Sequence, residues 1–213
     1  VVFSVNVDPV RSGLVPSLAR PGGRATGVSW VLDLEDKAID LATSVSPRPH
    51  RVAFLIDSGW MEENAAKVEL LRSRWLARGV PLAFVVAGPA GEGAIADELR
   101  RTIATAVIVP LSLASYTDPD SMARAGKSAG LPVVFAGATP LAERVLMSVE
   151  ADVSNLLQRH SALVERVLAG ADPGTLPVER PAGVRVTVDL GAAQALGMKV
   201  PKSVLAQADV LLR

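Results

Sequence analysis

Arg51-Val52-Ala53-Phe54-Leu55-Ile56-Asp57-Ser58-Gly59 decides the fold class. Its central apolar run leaves no polar face, so it suits a strand covered on both sides. From Met61 to Arg78 the apolar positions Val68, Leu71, Trp75 and Leu76 recur at helical spacing, and Gly79 stops that helix. A second apolar run, Leu82 to Val86, follows. Strand, crossover helix and strand in this order predict a βαβ unit with parallel strands.

The same alternation extends both ways. Val1–Val5, Gly27–Trp30, Ala106–Val109 and Pro132–Ala136 read as short strands, apolar on both faces, and Val145–Val149, Val184–Val188 and Asp209–Leu212 as further ones. A long helix is expected from Asp152 to Ala169, burying Val153, Leu156, Leu157, Leu163, Val164, Val167 and Leu168; Gly170 closes it and Asp172-Pro173-Gly174 makes a turn. A short helix over Gly191–Leu196 ends at Gly197, and a turn at Pro201 delivers the last strand. The Pro-bearing stretch Ser44–Pro49 is the expected lobe boundary and hinge, and Ala171–Gly183, with three prolines, is a second long connection. Two crossings imply two lobes.

Composition narrows the function. Within 213 residues, 22 basic side chains balance 22 acidic ones, so no net field draws in a nucleic-acid backbone. Aromatics make up only 4% against 49% hydrophobic residues, so Val, Leu, Ala and Ile build the core. With no cysteine, disulfides, thiolate catalysis and soft-ligand zinc sites are excluded. No apolar run reaches the roughly 20 residues of a spanning helix. The chain starts at Val1, inside a strand and without Met, so an upstream segment, with any signal peptide, is expected to precede it.

Parallel sheets place ligands beyond the carboxyl ends of their strands, where loops and helix starts present N–H groups. Those ends carry Asn6, Asp8 and Pro9; Asp57, Ser58 and Trp60; Pro110 and Ser112; Gly137 and Thr139. Asp8 could pair with a ligand amine, and Asn6, Ser58 or Ser112 could donate to a carboxylate. Equally, Asp8, Ser58 and Ser112 could be helix caps or turn formers. Of the three tryptophans only Trp60, opening a helix beside Asp57, is placed to stack on a ligand; Trp75 reads as core.

Other chemistry finds no footing. Asp57 at a strand end resembles a receiver-domain phosphoacceptor, but the acidic pair and the Lys that hold magnesium and phosphate are not correctly placed. Gly88-Pro89-Ala90-Gly91-Glu92-Gly93 lacks the Lys-Ser/Thr pair of a phosphate loop and reads as a turn. His50 and His160 stand apart and read as solvated, and no nucleophile elbow or zinc-binding helix motif is present. Catalysis and metal or cofactor binding are not expected.

Two ordered sets of motifs go further. The first is Asp8-Pro9-Val10, Gly13-Leu14-Val15, Ser17-Leu18-Ala19-Arg20-Pro21-Gly22-Gly23 and Thr26-Gly27-Val28-Ser29. The second is the run from Leu168 to Glu179, containing Asp172-Pro173-Gly174-Thr175-Leu176-Pro177, then Ala195-Leu196-Gly197, Val200-Pro201 and Leu205-Ala206-Gln207-Ala208-Asp209. Together they resemble the substrate-binding proteins of ABC uptake systems, in the family with tryptophan- and phenylalanine-binding members.

The resemblance implies a two-lobed α/β fold of the periplasmic binding protein type I kind, with parallel sheets flanked by helices and the first lobe incomplete in this chain. Residues 1–46 would be the remainder of the first lobe and a crossover, 47–149 the second lobe, and 150–213 a crossover helix with strands linking the two. It implies capture of an amino acid or similar small molecule in the interlobe cleft for an ABC permease, in the periplasm or on a lipid anchor. The protein would be a monomer at full length, with pairing through the truncated first lobe as the alternative for the shorter chain. Asp8 is the residue whose site role carries over most directly. Asp57-Ser58 stands where the family often has Asn-Pro, and Val149-Glu150 where it has Tyr-Gly. The rival readings are a ligand-sensing module of a receptor or regulator, and a small-metabolite enzyme using Asp8 and Asp57 as an acid/base pair.

Overall fold

The structure, a computed structural model, describes residues 1–46, 48, 50–56, 58–87, 91–110, 118–137 and 143–213, and the backbone alone at 58, 60, 63 and 119. Two compact units divide the chain: Val1–Asp33 with Ala151–Val184, and Leu34–Glu150 with Arg185–Arg213. The chain therefore passes between them at 33/34, 150/151 and 184/185, whereas the anticipated stretches Ser44–Pro49 and Ala171–Gly183 fall within the ranges of the larger and the smaller unit. The passage at 33/34 carries neither Gly nor Pro to announce it.

The larger unit is built on a seven-stranded sheet. Its strands are β3 (Val52–Ile56), β4 (Leu82–Val86), β5 (Ala106–Pro110), β6 (Val133–Ala136), β7 (Met147–Ala151), β8 (Val184–Asp189) and β9 (Val210–Leu212), in the order β4-β3-β5-β6-β7-β8-β9. The strands from β4 to β7 pair in parallel, as do β8 and β9. Between these groups the direction reverses. Asp189 N, ending β8, donates to Leu146 O just ahead of β7 at 3.0 Å, while Asp152 N, just past β7, donates to Gly183 O just ahead of β8 at 2.9 Å. The sheet is thus mostly parallel.

Alternation explains the layers. Ala53, Leu55, Val107, Val109, Val133 and Phe135 bury one face against α4 (Gly91–Arg101) and α5 (Pro119–Ser128). Helix α1 (Glu35–Val45) buries Ala38, Ile39, Leu41 and Ala42 and packs on β5 and β6. Helix α5 sits so close to the sheet that a Cβ on Gly126 would lie 2.7 Å from Val133 Cγ2 and 2.8 Å from Val107 Cγ1.

Local departures from expectation have local causes. The helix anticipated over 61–78 is two, α2 (Ser58–Glu63) and α3 (Ala65–Leu76), because Asn64, a poor helix former, takes φ −115° and ψ 23° between them. The Gly-rich run read as a turn opens α4 from Gly91 on, since Ile95, Ala96 and Leu99 bury on the sheet despite two early glycines. Helix α5 starts where the Asp118 carboxylate accepts from Asp120 N, with Pro119 in the first turn.

The smaller unit pairs β1 (Val2–Val5) with β2 (Thr26–Ser29) in parallel and covers them with α6 (Leu156–Leu168). Val28, Leu156, Leu163 and Leu176 form its core, with Trp30 and Val167 against it. His160, on α6, is not the solvated residue expected: its Nε2 is buried without a hydrogen-bond partner among the described residues.

The first motif set and the Leu168–Glu179 run of the second meet here. Gly22 N donates to Gly174 O (3.0 Å), Val178 N to Leu18 O (2.8 Å) and Glu179 N to Gly27 O (2.9 Å). The buried Thr26 hydroxyl donates to Leu176 O at 2.8 Å. Gly174 is required by close approach, since a Cβ there would lie 2.7 Å from Gly23 O.

The last two helices, α7 (Leu190–Ala195) and α8 (Lys202–Leu205), follow β8 in the larger unit.

Candidate ligand site

Strand β3 lies between β4 and β5, so the chain leaves it to one side and returns on the other. At such a switch point neighbouring connections diverge and leave a crevice beyond the carboxyl ends. The register sets those ends level: Ile56 stands opposite Val86, Pro110 opposite Ala136, and Ala136 opposite Val149.

Helix α2 begins at Ser58 directly beyond β3, with Trp60 in its first turn. Gly137 follows β6 and is buried. Ser58, Trp60 and Gly137 thus belong to one edge of one sheet, as parallel pairing demands. Asp57 and Ser112 lie outside the described residues, and so does Thr139.

The other two candidates belong to the smaller unit. Asn6 is exposed just past β1, and Asp8 is half-buried. Asp8 Oδ1 accepts from Val10 N (2.9 Å) and Arg11 N (3.0 Å), and Ser12 N donates to Asp8 O (3.0 Å). Asp8 therefore does form a turn; its Oδ2 has no hydrogen bond among the described residues. Trp30 N donates to Val5 O (2.9 Å) and the Ser29 hydroxyl to Val7 O (3.1 Å), tying this segment to β2.

The tryptophans separate as their surroundings require. Trp75 is buried and donates Nε1 to Asp36 Oδ1 at 2.7 Å, and Trp30 packs on the small core and donates Nε1 to Ser4 Oγ at 2.8 Å. Both indole N–H groups are satisfied within the protein.

A charged cluster escaped the sequence. Arg124 on α5 reaches Glu92 at the start of α4 (3.0 Å) and Asp118 at the start of α5 (3.3 Å), with Glu143 at 3.9 Å; Lys127 holds Glu143 at 2.7 Å. The hydrogen bond that Arg124 donates to Glu92 raises the Arg124 pKa further above its ordinary value. Such partners are distant in sequence, and no local pattern announces them. Among the described residues, no group of three or more His, Cys, Asp or Glu is placed to hold a metal ion, and no helix is long and apolar enough to cross a membrane.

The profile of the family described as ABC transporter substrate binding protein matches residues 1–211. A tyrosine-binding protein of Clostridioides difficile (strain R20291) is 19% identical over 201 residues, covering 93% of this chain and 57% of the relative. The chain thus spans little more than half the length of that curated relative. Three solved structures share the fold over 99% of this chain. The ABC domain in complex with L-Trp from Streptococcus pneumonia has a TM-score of 0.75 at 24% identity, over 72% of its own length. A conserved domain protein from Vibrio cholerae O1 biovar El Tor gives 0.76 at 24% over 70%. The ligand-free, open form of a substrate binding protein with adhesive properties from Clostridium difficile gives 0.74 at 18% over 70%. With a family match that runs through nearly every residue, the chain belongs to the ABC transporter substrate binding protein family.

Proposed function

We propose that this chain is the solute-binding part of an ABC importer, working outside the cytoplasm, in the periplasm or on a lipid anchor. It captures an amino acid or similar small metabolite in a cleft between two lobes and hands it unaltered to a membrane permease. The family match over residues 1–211 carries this reading. Likeness to a tyrosine-binding protein and to a domain solved with L-Trp makes aromatic amino acids the first ligands to test.

Asn6 and Asp8 serve from one lobe, and Asp57, Ser58, Trp60, Ser112 and Gly137 from the other. In this scheme Asp8 takes the ligand ammonium, serine hydroxyls and backbone N–H groups take its carboxylate, and the Trp60 ring takes an aromatic side chain. A solute held by both lobes favours the closed state by its differential affinity, and closure expels water that would weaken each polar contact. No cofactor or chemical step is involved, and the full-length protein acts as a monomer.

A thermal-shift screen of the full-length protein against the amino acids tests this. A ligand at a hundredfold its Kd should stabilise the folded state by about 2.7 kcal/mol, and mass spectrometry should recover it unchanged. A screen without a single stabilising amino acid, or recovery of a different compound, overturns the reading.

A further inference from the structure

A cavity of about 460 Å³ lies in the larger unit at the other edge of the sheet from the candidate solute site. Leu131 leads into β6, Val145 and Leu146 lead into β7, and Leu196 flanks it just past α7; all four line it. Strands β6 and β7 are parallel, so this is their amino edge.

The lining is mostly apolar, and its two charged members, Lys127 and Arg144, are both cations. Their partners hold them in place without exhausting them. Arg144 gives Nε and Nη2 to Asp189 and keeps Nη1, while Lys127 gives one proton to Glu143 and keeps others. Neither Asp189 nor Glu143 lines the cavity. The lining is thus an apolar wall with charge-assisted N–H donors left over from two ion pairs and no acceptor carboxylate of its own, which suits an apolar body that ends in one carboxylate. A free amino acid suits it badly, because its ammonium would be desolvated with no carboxylate to receive it.

We propose that this cavity binds a small amphipathic monocarboxylate, an aryl or alkyl acid of about ten to fifteen non-hydrogen atoms. Its tail lies against Leu131, Val145, Leu146 and Leu196, and its carboxylate is met by Lys127 and Arg144. The site is separate from the solute site and does not depend on it.

Titration calorimetry of the full-length protein with 4-phenylbutyrate, against the uncharged 4-phenylbutyramide, tests the proposal. The acid should bind one to one, at least tenfold more tightly than the amide. Ala195→Trp, at an exposed lining position, should abolish that binding while leaving the melting curve and any amino-acid shift unchanged. Lys127→Met should weaken it fivefold or more. No binding of 4-phenylbutyrate, equal binding of acid and amide, or indifference to Ala195→Trp in the folded variant overturns the proposal. No amino acid is needed in the cell, so failure of the solute reading leaves this result standing.

Discussion

Arg144 and Asp189 meet side-on, Nε to Oδ2 and Nη2 to Oδ1, both at 2.6 Å. Two parallel N–H donors face two carboxylate oxygens, the geometry in which an ion pair is both strong and directional. The Asp189 side chain is 4% exposed and that of Arg144 53%, so the acid is buried and the base reaches water. Asp189 Oδ1 also accepts from Ala192 N at 2.8 Å, capping α7. One carboxylate thus fixes the start of a helix and the approach to β7.

The acid sensitivity of this joint has a definite sign. The Arg144 hydrogen bonds hold the Asp189 carboxyl below its ordinary range, against the opposing effect of burial. Its contribution to stability is therefore fully present above the unfolded value, about 4, and is lost as pH falls through the lowered native value. Asp189→Asn keeps a capping oxygen but removes the charge. In urea unfolding of the full-length protein it should cost on the order of 2 kcal/mol at pH 7, and the gap to the parent should narrow as the pH falls below 4. An equal gap at both pH values would show that the charge contributes nothing.

Two glycines should respond in opposite ways. Gly126→Ala places a methyl against two stiff valines, Val107 and Val133, and should destabilise by about 1–3 kcal/mol. Gly93→Ala, in exposed α4 with nothing within 4 Å, should stabilise by roughly 0.5–1 kcal/mol through helix propensity. Chemical denaturation of both variants checks the pair.

The joint between the two motif sets should be sensitive to one hydroxyl. Thr26→Val leaves shape nearly unchanged but strands the carbonyl of Leu176, and should cost about 1–2 kcal/mol. Hydrogen exchange should rise at Gly22, Val178 and Glu179, whose amides bond across the same joint.

Asp8 should show two separable roles. Asp8→Asn retains an oxygen for the Val10 and Arg11 amides, so the melting temperature without ligand should hold. If the charge binds a ligand ammonium, the thermal shift with the bound amino acid should fall at least tenfold in apparent affinity. Asp8→Ala should lose both the turn and the ligand response. An Asp8→Asn variant with full affinity removes Asp8 from the site.

Strands were legible because β3, β5 and β6 are buried on both faces and must be continuous apolar runs. Periodicity found α3 and α6 for the same reason, through Val68, Leu71 and Trp75 and through Leu156 and Leu163. It failed at α4, where Gly91 and Gly93 outweighed Ile95, Ala96 and Leu99 until the sheet supplied a surface to bury them. It failed at α2, where Asn64 parts a short helix from α3 ahead of the first periodic position, Val68. The positions of Asn6, Ser58 and Gly137 follow from strand ends alone, since a residue just past a parallel strand lies at the carboxyl edge of its sheet.

By itself, the sequence settled the strand runs and the helices α3, α6 and α7, because local hydrophobic period depends only on neighbours along the chain. Its ordered motifs also carried the family. Only the tertiary structure decided the order β4-β3-β5, the reversal at β8, the embrace of residues 18–29 by 174–179, and the pairing of Arg144 with Asp189. Each joins residues far apart in the chain, and which of many chemically equivalent partners meet is decided when the whole core is packed at once.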